Sequence, residues 1–196
     1  NVVAAIEDYA RQEDYQAVEM RLPPHAFHKR PFECLEFALH FHKFSVVRAE
    51  MTSTVDLTEN DDLMLTLQAK TRNQLKQGLK SGLQAGPSED YDQYWEILSS
   101  NLESKYGVNP THSLEEIKKL RTLAPDAFQL FAAREDEHMA AGVLLVACNS
   151  MTAHTFYMAS RPEDQPRRPL NLALYAAMCG AKEQSFKRLN FGVSTP

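Results

Sequence analysis

From residue 126 onward, apolar and polar positions follow a strand period, then a helical one, then a strand period again. AFQLFAARE, MAAGVLLVAC and TAHTFYMAS are short runs dense in apolar, β-branched and aromatic residues. Asp136-Glu137 and Asn149-Ser150 separate them as tight-turn signals. A basic, proline-rich stretch, RPEDQPRRP, follows, then a helical pattern over 170–184 and a strand-like RLNFGVST. This order predicts an antiparallel meander, a cationic turn, a helix and a further strand.

Upstream, Val2, Val3, Ile6 and Tyr9 lie on one side of a helical pattern over 2–10. Residues 15–22 alternate as a half-buried strand does, and Pro23-Pro24 ends them. A loop with His25, His28, Lys29 and Arg30 leads to a predicted helix over 32–44, with Leu35, Leu39 and His42 on a common face. Residues 44–57 are extended in character. A long helix is expected to open at Thr58, capped by its hydroxyl and favoured by Glu59, Asp61 and Asp62 at the positive end. Leu63, Leu67, Leu75 and Leu79 would share its buried face, and Gly82 would stop it. Residues 83–85 read as a short strand. The next helix is expected to start at Ser88, carry Tyr91, Tyr94, Trp95, Leu98 and Leu102, and end at Gly107. Ser113-Leu114-Glu115-Glu116 is a capping-box pattern for a short helix that Pro125 closes. No internal repeat and no low-complexity segment is visible.

Composition narrows the class. A hydrophobic content of 43% supports a packed core, and a charged content of 24% is ordinary for a soluble protein. The formal charge of -5 argues against nucleic acid held over the whole surface. Cys34, Cys148 and Cys179 lack CxxC spacing, as expected of reduced thiols in a cytoplasmic compartment. No apolar run approaches the ~20 residues that cross a bilayer, and no signal peptide is visible. The chain opens on Asn1 rather than Met, as a fragment of a longer protein would.

Candidate chemistry centres on anions. Arg161, Arg167 and Arg168 flank the turn before the 170–184 helix, and Pro169 takes the first helical position, which needs no donor. A helix N-terminus with cations beside it suits a pyrophosphate; an ordinary solvated loop is the simpler reading. No acidic residue occurs from Leu63 to Ser88, a span that holds Lys70, Arg72, Lys76 and Lys80. That face reads either as a second anion site or as a solvated helix face. His154 and Tyr157, three apart on a strand, are expected on opposite faces, each as a proton carrier or a core residue. His112 reads as a loop residue beside the Ser113 cap. His40 and His42 lie two apart on a helix and have no third ligand nearby, so no metal site is expected. Neither a nucleophile elbow nor a P-loop is present.

The strings LQAKTRNQLKQGLKSGLQ and AHTFYMAS…RPLNLALYAAM…AKEQSFKRLNFGVST resemble the Fem-type (FemAB-like) branch of the GNAT superfamily of acyltransferases. The resemblance runs from about residue 58 to the end. It implies an α/β (α+β) fold with a mixed, mainly antiparallel sheet flanked by helices, preceded by part of a second related lobe. The implied division is a partial lobe over 1–57, a basic connecting helix over 58–82 and a GNAT-like lobe over 83–196. In this fold a strand, here 153–160, splays from its neighbour, here 188–194, and the donor lies in the splay. The resemblance implies an N-acyltransferase that uses acetyl-CoA or another acyl-CoA, with a small-molecule amine, amino-sugar or peptide acceptor. Arg161, Arg167, Arg168 and Asn171 would meet the donor phosphates. Tyr157 and His154 would orient groups or move protons, and Asn190 would line the site. Lys70, Arg72 and Lys76 would meet donor or acceptor phosphates. An aminoacyl-tRNA donor is the first alternative, and a non-catalytic binding module the second. The usual Gln/Arg-x-x-Gly-x-Gly/Ala loop of acetyl-CoA users is missing here.

Overall fold

The computed structural model describes residues 2–30 and 32–193; Asn1, Pro31 and the last three residues, including Ser194 and Thr195 of the final strand-like string, lie outside this range. In chain order it contains α1 (Val2–Gln12), α2 (Cys34–Phe41), β1 (Thr52–Asp56), α3 (Ala69–Leu79), β2 (Gln84–Ser88), α4 (Tyr91–Tyr106) and α5 (Leu114–Leu123). The meander β3 (Phe128–Glu135), β4 (His138–Ala147) and β5 (Thr152–Ser160) follows, then α6 (Pro169–Glu183) and β6 (Arg188–Val193). The strands form one sheet in the order β1-β6-β5-β4-β3-β2. Every neighbouring pair is antiparallel except β5 and β6. The sheet is therefore mixed and mainly antiparallel, with helices on both faces.

Each face has its own core. α6 lies across β2, β3 and β4 with α3 beside it. Leu172, Ala173, Ala177 and Ala181 pack there on Phe131, Val143 and Leu145. On the other face α4 brings Tyr94, Trp95 and Leu98 onto Leu130, Leu144 and Ala159, and α5 adds Ile117. Two glycines permit this close packing. A Cβ on Gly142 would lie 2.4 Å from the Tyr94 ring, and one on Gly180 would lie 2.3 Å from the Phe131 ring.

Local signals set several boundaries. Ser113 and Glu116 form the reciprocal capping box. Gly107 ends α4 in the left-handed conformation at φ 65°. Pro169 occupies the first position of α6. Other expectations are corrected. No strand forms over 15–22: Val18, Met20 and Leu22 alternate in burial with exposed neighbours, but no strand pairs with them. The extended stretch 44–57 yields a strand at Thr52–Asp56 alone, and the 32–44 helix shortens to Cys34–Phe41.

Thr58 does not open a helix. Its N–H and hydroxyl both donate to Asp56 Oδ1, at 2.8 and 2.6 Å, which closes a turn instead. Asp62 caps a short 3-10 turn, and α3 begins at Ala69. Leu79 faces solvent, and Gly78 takes the buried place beside Leu75. Ser88 ends β2, and Asp90 is the cap of α4, its carboxylate accepting the Gln93 N–H at 3.0 Å.

The tyrosines of α4 make a prediction. Burial pushes the Tyr91 hydroxyl up to about 12 and also raises Tyr94. Both folded values exceed the unfolded value near ~10. The folded state thus keeps protons that the unfolded chain releases, so stability holds below that value and falls as pH rises through the folded ones. A urea series should show a constant midpoint from pH 8 to about 9.5 and a steady decline by about pH 11.5. A flat midpoint would remove the claim that both hydroxyls stay buried.

Candidate active site

The parallel pair β5 and β6 sets the geometry. It is joined at Thr152↔Arg188, Ala153↔Leu189 and His154↔Asn190, and no pairing follows. From residue 155 to 160, β5 therefore has β4 on one side and an open edge on the other. Along that edge, alternate peptide groups lack a strand partner, and an extended ligand could bond to them.

His154 sits where the strands part. Its Nδ1 lies 3.1 Å from Asn190 Oδ1 and 3.2 Å from the Asn190 carbonyl oxygen. Asn190 is fully buried and cannot turn over. Its Oδ1 accepts the Gly192 N–H at 2.9 Å, and its Nδ2 donates to Thr54 Oγ1 at 2.9 Å. Both groups facing His154 Nδ1 are thus acceptors, so Nδ1 carries the proton and Nε2 holds a lone pair in the neutral ring. Gly192, at φ 79°, lies against the Cε1–Nε2 edge; a Cβ there would come 3.2 Å from Cε1. The tautomer is set by residues from β1 and β6, far apart in the chain.

The expected opposition of His154 and Tyr157 is corrected. β5 bulges at Phe156, where the register passes from Leu144↔Tyr157 to Leu145↔Thr155. The extra residue restores the parity, so His154 pairs with Val146 and Tyr157 with Leu144 on one face. Tyr157 Oη lies 3.1 Å from His112 Nδ1, and its ring stands edge-on to Trp95 at 5.7 Å. His112 therefore lies beside Tyr157 at the candidate site. No sequence signal pointed to it, because it meets Tyr157 across 45 positions.

The loop between β5 and α6 is prefolded. The N–H groups of Asp164, Gln165, Arg167 and Arg168 donate to the carbonyls of Arg161, Pro162, Asp164 and Gln165. Arg161 is tied to β4, its Nε donating to the Met139 carbonyl at 2.9 Å. Arg167 is also engaged, with Glu135 at 3.0 Å, Asp164 at 3.6 Å and the Ser81 carbonyl at 3.0 Å. Asp164, buried, accepts from His138 Nε2 at 2.7 Å. Arg161 and Arg167 fasten the loop to the sheet. Arg168 is exposed, holds φ 57° and immediately precedes Pro169. Among the described residues, the Leu170 and Asn171 N–H groups have no protein acceptor and open from the first turn of α6. Gly78 of α3 packs on Leu172, which brings the end of α3 to that turn. Lys70 and Lys76 are exposed on α3, and Arg72 is half-buried.

A meander, a bulged strand that splits from a parallel neighbour, and a helix whose bare N-terminus follows define an acyl-transfer fold. The sequence agrees: residues 69–195 match the family model described as the acetyltransferase (GNAT) domain, and the chain belongs to that family. The crystal structure of FemX superposes with a TM-score of 0.71 at 16% identity, covering 99% of this chain and 69% of that one. The C-terminal DUF2156 domain of an Agrobacterium fabrum protein superposes with a TM-score of 0.55 at 17% identity. That match covers 74% of this chain and 46% of the other, so this chain spans about half its length. At these identities the likeness is one of fold. No curated protein matches the chain in sequence. Among the described residues, no helix is long and apolar enough to cross a membrane.

Proposed function

We propose that the chain transfers an acyl group from acyl-CoA to an amine acceptor, and that the reaction centre is the point where β5 and β6 part. The observation that carries this reading is His154, held with its Nε2 lone pair free beside Gly192 at that point. The donor would lie along the open edge of β5, its pyrophosphate at the Leu170 and Asn171 N–H groups beside Arg168. The amine nitrogen forms a bond to the acyl carbon, and His154 Nε2 takes the proton that the nitrogen sheds. The carbon–sulfur bond breaks, and Tyr157 Oη gives its proton to the leaving thiolate, with His112 behind it. Holding amine and carbonyl in reach supplies much of the acceleration in such a site.

Arg168 offers a test with two independent readouts. A non-glycine residue in the left-handed region costs roughly 1–2 kcal/mol. Arg168→Gly is therefore expected to raise stability by about 1 kcal/mol while weakening acetyl-CoA binding roughly tenfold, as the loss of one charge-assisted contact does. Calorimetry with acetyl-CoA and longer acyl-CoAs measures the second effect. If none of the thioesters binds the wild-type chain, the acyl-CoA reading fails.

One observation favours a second donor. α3 exposes Lys70 and Lys76, and Lys80 follows at its end, with no acid among them, which suits the backbone of an aminoacyl-tRNA. Retention of tRNA that falls steeply with salt would support it. No retention at low salt would exclude it.

A further inference from the structure

A cavity of about 410 Å³ lies beside the site, on the same face of the sheet. Its floor is Thr54, Asp56 and Arg188; its wall is the loop carrying His25, Ala26, His28, Lys29 and Arg30. Register connects it to the reaction centre: Thr54 pairs with Asn190, which pairs with His154. Phe27 of the same loop packs its ring edge-on to His154 at 6.0 Å. The cavity thus lies two strands across from His154, behind Phe27's loop, toward the Thr152↔Arg188 end of β5 and away from the donor loop that follows Ser160.

Its charge is unlike that of the whole chain. The protein carries -5 overall, yet Lys29, Arg30 and Arg188 line this cavity against the single carboxylate of Asp56. Hydrogen bonds from Thr58 hold the Asp56 carboxyl below its usual range, with Arg188 assisting, so it is ionised at neutral pH. A second carboxylate, Glu36 of α2, pairs with His25 Nε2 at 3.3 Å, and its other oxygen is buried without a partner. Among the described residues, Lys29, Arg30 and Arg188 form no ion pair. Arg188 spends Nη1 on the Ala26 and His28 carbonyls, which fixes the wall and leaves its other N–H donors. The His25 and His28 rings stack at 5.2 Å, and His28 Nδ1 is buried without a partner. Cations gathered around an open space repel one another, and an anion placed among them removes that repulsion.

We propose that this cavity binds an oxyanion of the acceptor, a phosphoryl or carboxylate group carried by the same molecule that presents the amine to His154. The proposal rests on the acyl-transfer reading for the word acceptor; the anion site itself rests on the cavity. Arg30, Lys29 and Arg188 supply the charge, and the two imidazoles supply donors once an anion is present. The acceptor class narrows to amines with an acidic group, and simple uncharged amines become poor substrates.

The test uses the whole chain and three probes: sodium phosphate, sodium diphosphate and sodium succinate. The ring protons of His25 and His28 are followed by NMR during each titration, with His112 as the internal control. Saturable shifts at His25 and His28 with a Kd below about 1 mM are expected for at least one probe. Saturation by phosphate or diphosphate assigns a phosphoryl group, and saturation by succinate alone assigns a carboxylate. The double variant Lys29→Gln with Arg30→Gln, both exposed, should weaken that binding at least about tenfold and leave acetyl-CoA affinity unchanged. Absence of saturation with all three probes, or equal affinity in the double variant, overturns the proposal. Diphosphate held at α6 instead would shift the Asn171 amide and spare the two histidines, which also counts against it. If the anion binds but no acyl-CoA does, the oxyanion site stands and the acyl-transfer reading falls.

Discussion

His154→Gln is expected to lower kcat roughly 10²–10⁴-fold while the KM for acyl-CoA changes little. In the proposed reaction the imidazole would meet the amine and not the donor's distant phosphates, so its loss would fall on the proton-transfer step. Glutamine keeps a polar group near Asn190 but has no basic lone pair. Two further variants probe the residues that set the tautomer. Asn190→Ala removes one of the two acceptors that face Nδ1–H, leaving only the backbone carbonyl, and leaves Thr54 Oγ1 without its donor, so it should lower both kcat and stability. Gly192→Ala leaves Asn190 in place but presses on the imidazole edge at 3.2 Å and forces an unfavourable φ of 79°. Both variants should slow turnover through His154. Steady-state rates with a panel of amine acceptors, beside thermal unfolding of each variant, measure this. Turnover in His154→Gln within about threefold of wild type would remove His154 as the base.

The second large effect is on the fold. Gly180→Ala would normally favour a helix by up to ~1 kcal/mol. Here the new Cβ would lie 2.3 and 2.5 Å from the Phe131 ring, which is 3% exposed and enclosed by the core. Overpacking of that kind costs about 1–3 kcal/mol or more, so the clash outweighs the propensity. Gly142→Ala meets the Tyr94 ring at 2.4 and 2.6 Å on the opposite face. Each is expected to lower Tm by roughly 5–10 °C for a chain of this size. Phe131→Leu in the Gly180→Ala background should recover part of the loss, because it opens the space that the Cβ needs. Gly86→Ala is the control: its Cβ would meet nothing within 4 Å. A Gly180→Ala protein as stable as wild type would mean that α6 does not sit against the sheet as described.

Asp136-Glu137 and Asn149-Ser150 mark their turns because tight turns are chosen by local residue chemistry. Ser113 with Glu116, Gly107 and Pro169 mark helix ends for the same reason, since each satisfies or removes backbone groups within one turn. Thr58 misled because its hydroxyl had a nearer acceptor in Asp56. Residues 15–22 misled because alternation describes a half-buried segment, whereas a strand also needs a partner.

The chain by itself determined the order of strands and helices from residue 84 onward, the cationic turn before α6 and the likeness to an acyltransferase fold. Those properties depend on periodicity, caps and composition, which act over a few residues. Tertiary structure alone decided the geometry of the candidate site. It placed Phe156 in a bulge, so that His154 and Tyr157 share a face. It brought Thr54 and Asn190 together to set the His154 tautomer, and His112 to Tyr157. It committed Arg167 to Glu135 and left Arg168 exposed. Each of these pairings spans a long stretch of chain, and no local pattern encodes which distant group a side chain will meet once the sheet has closed.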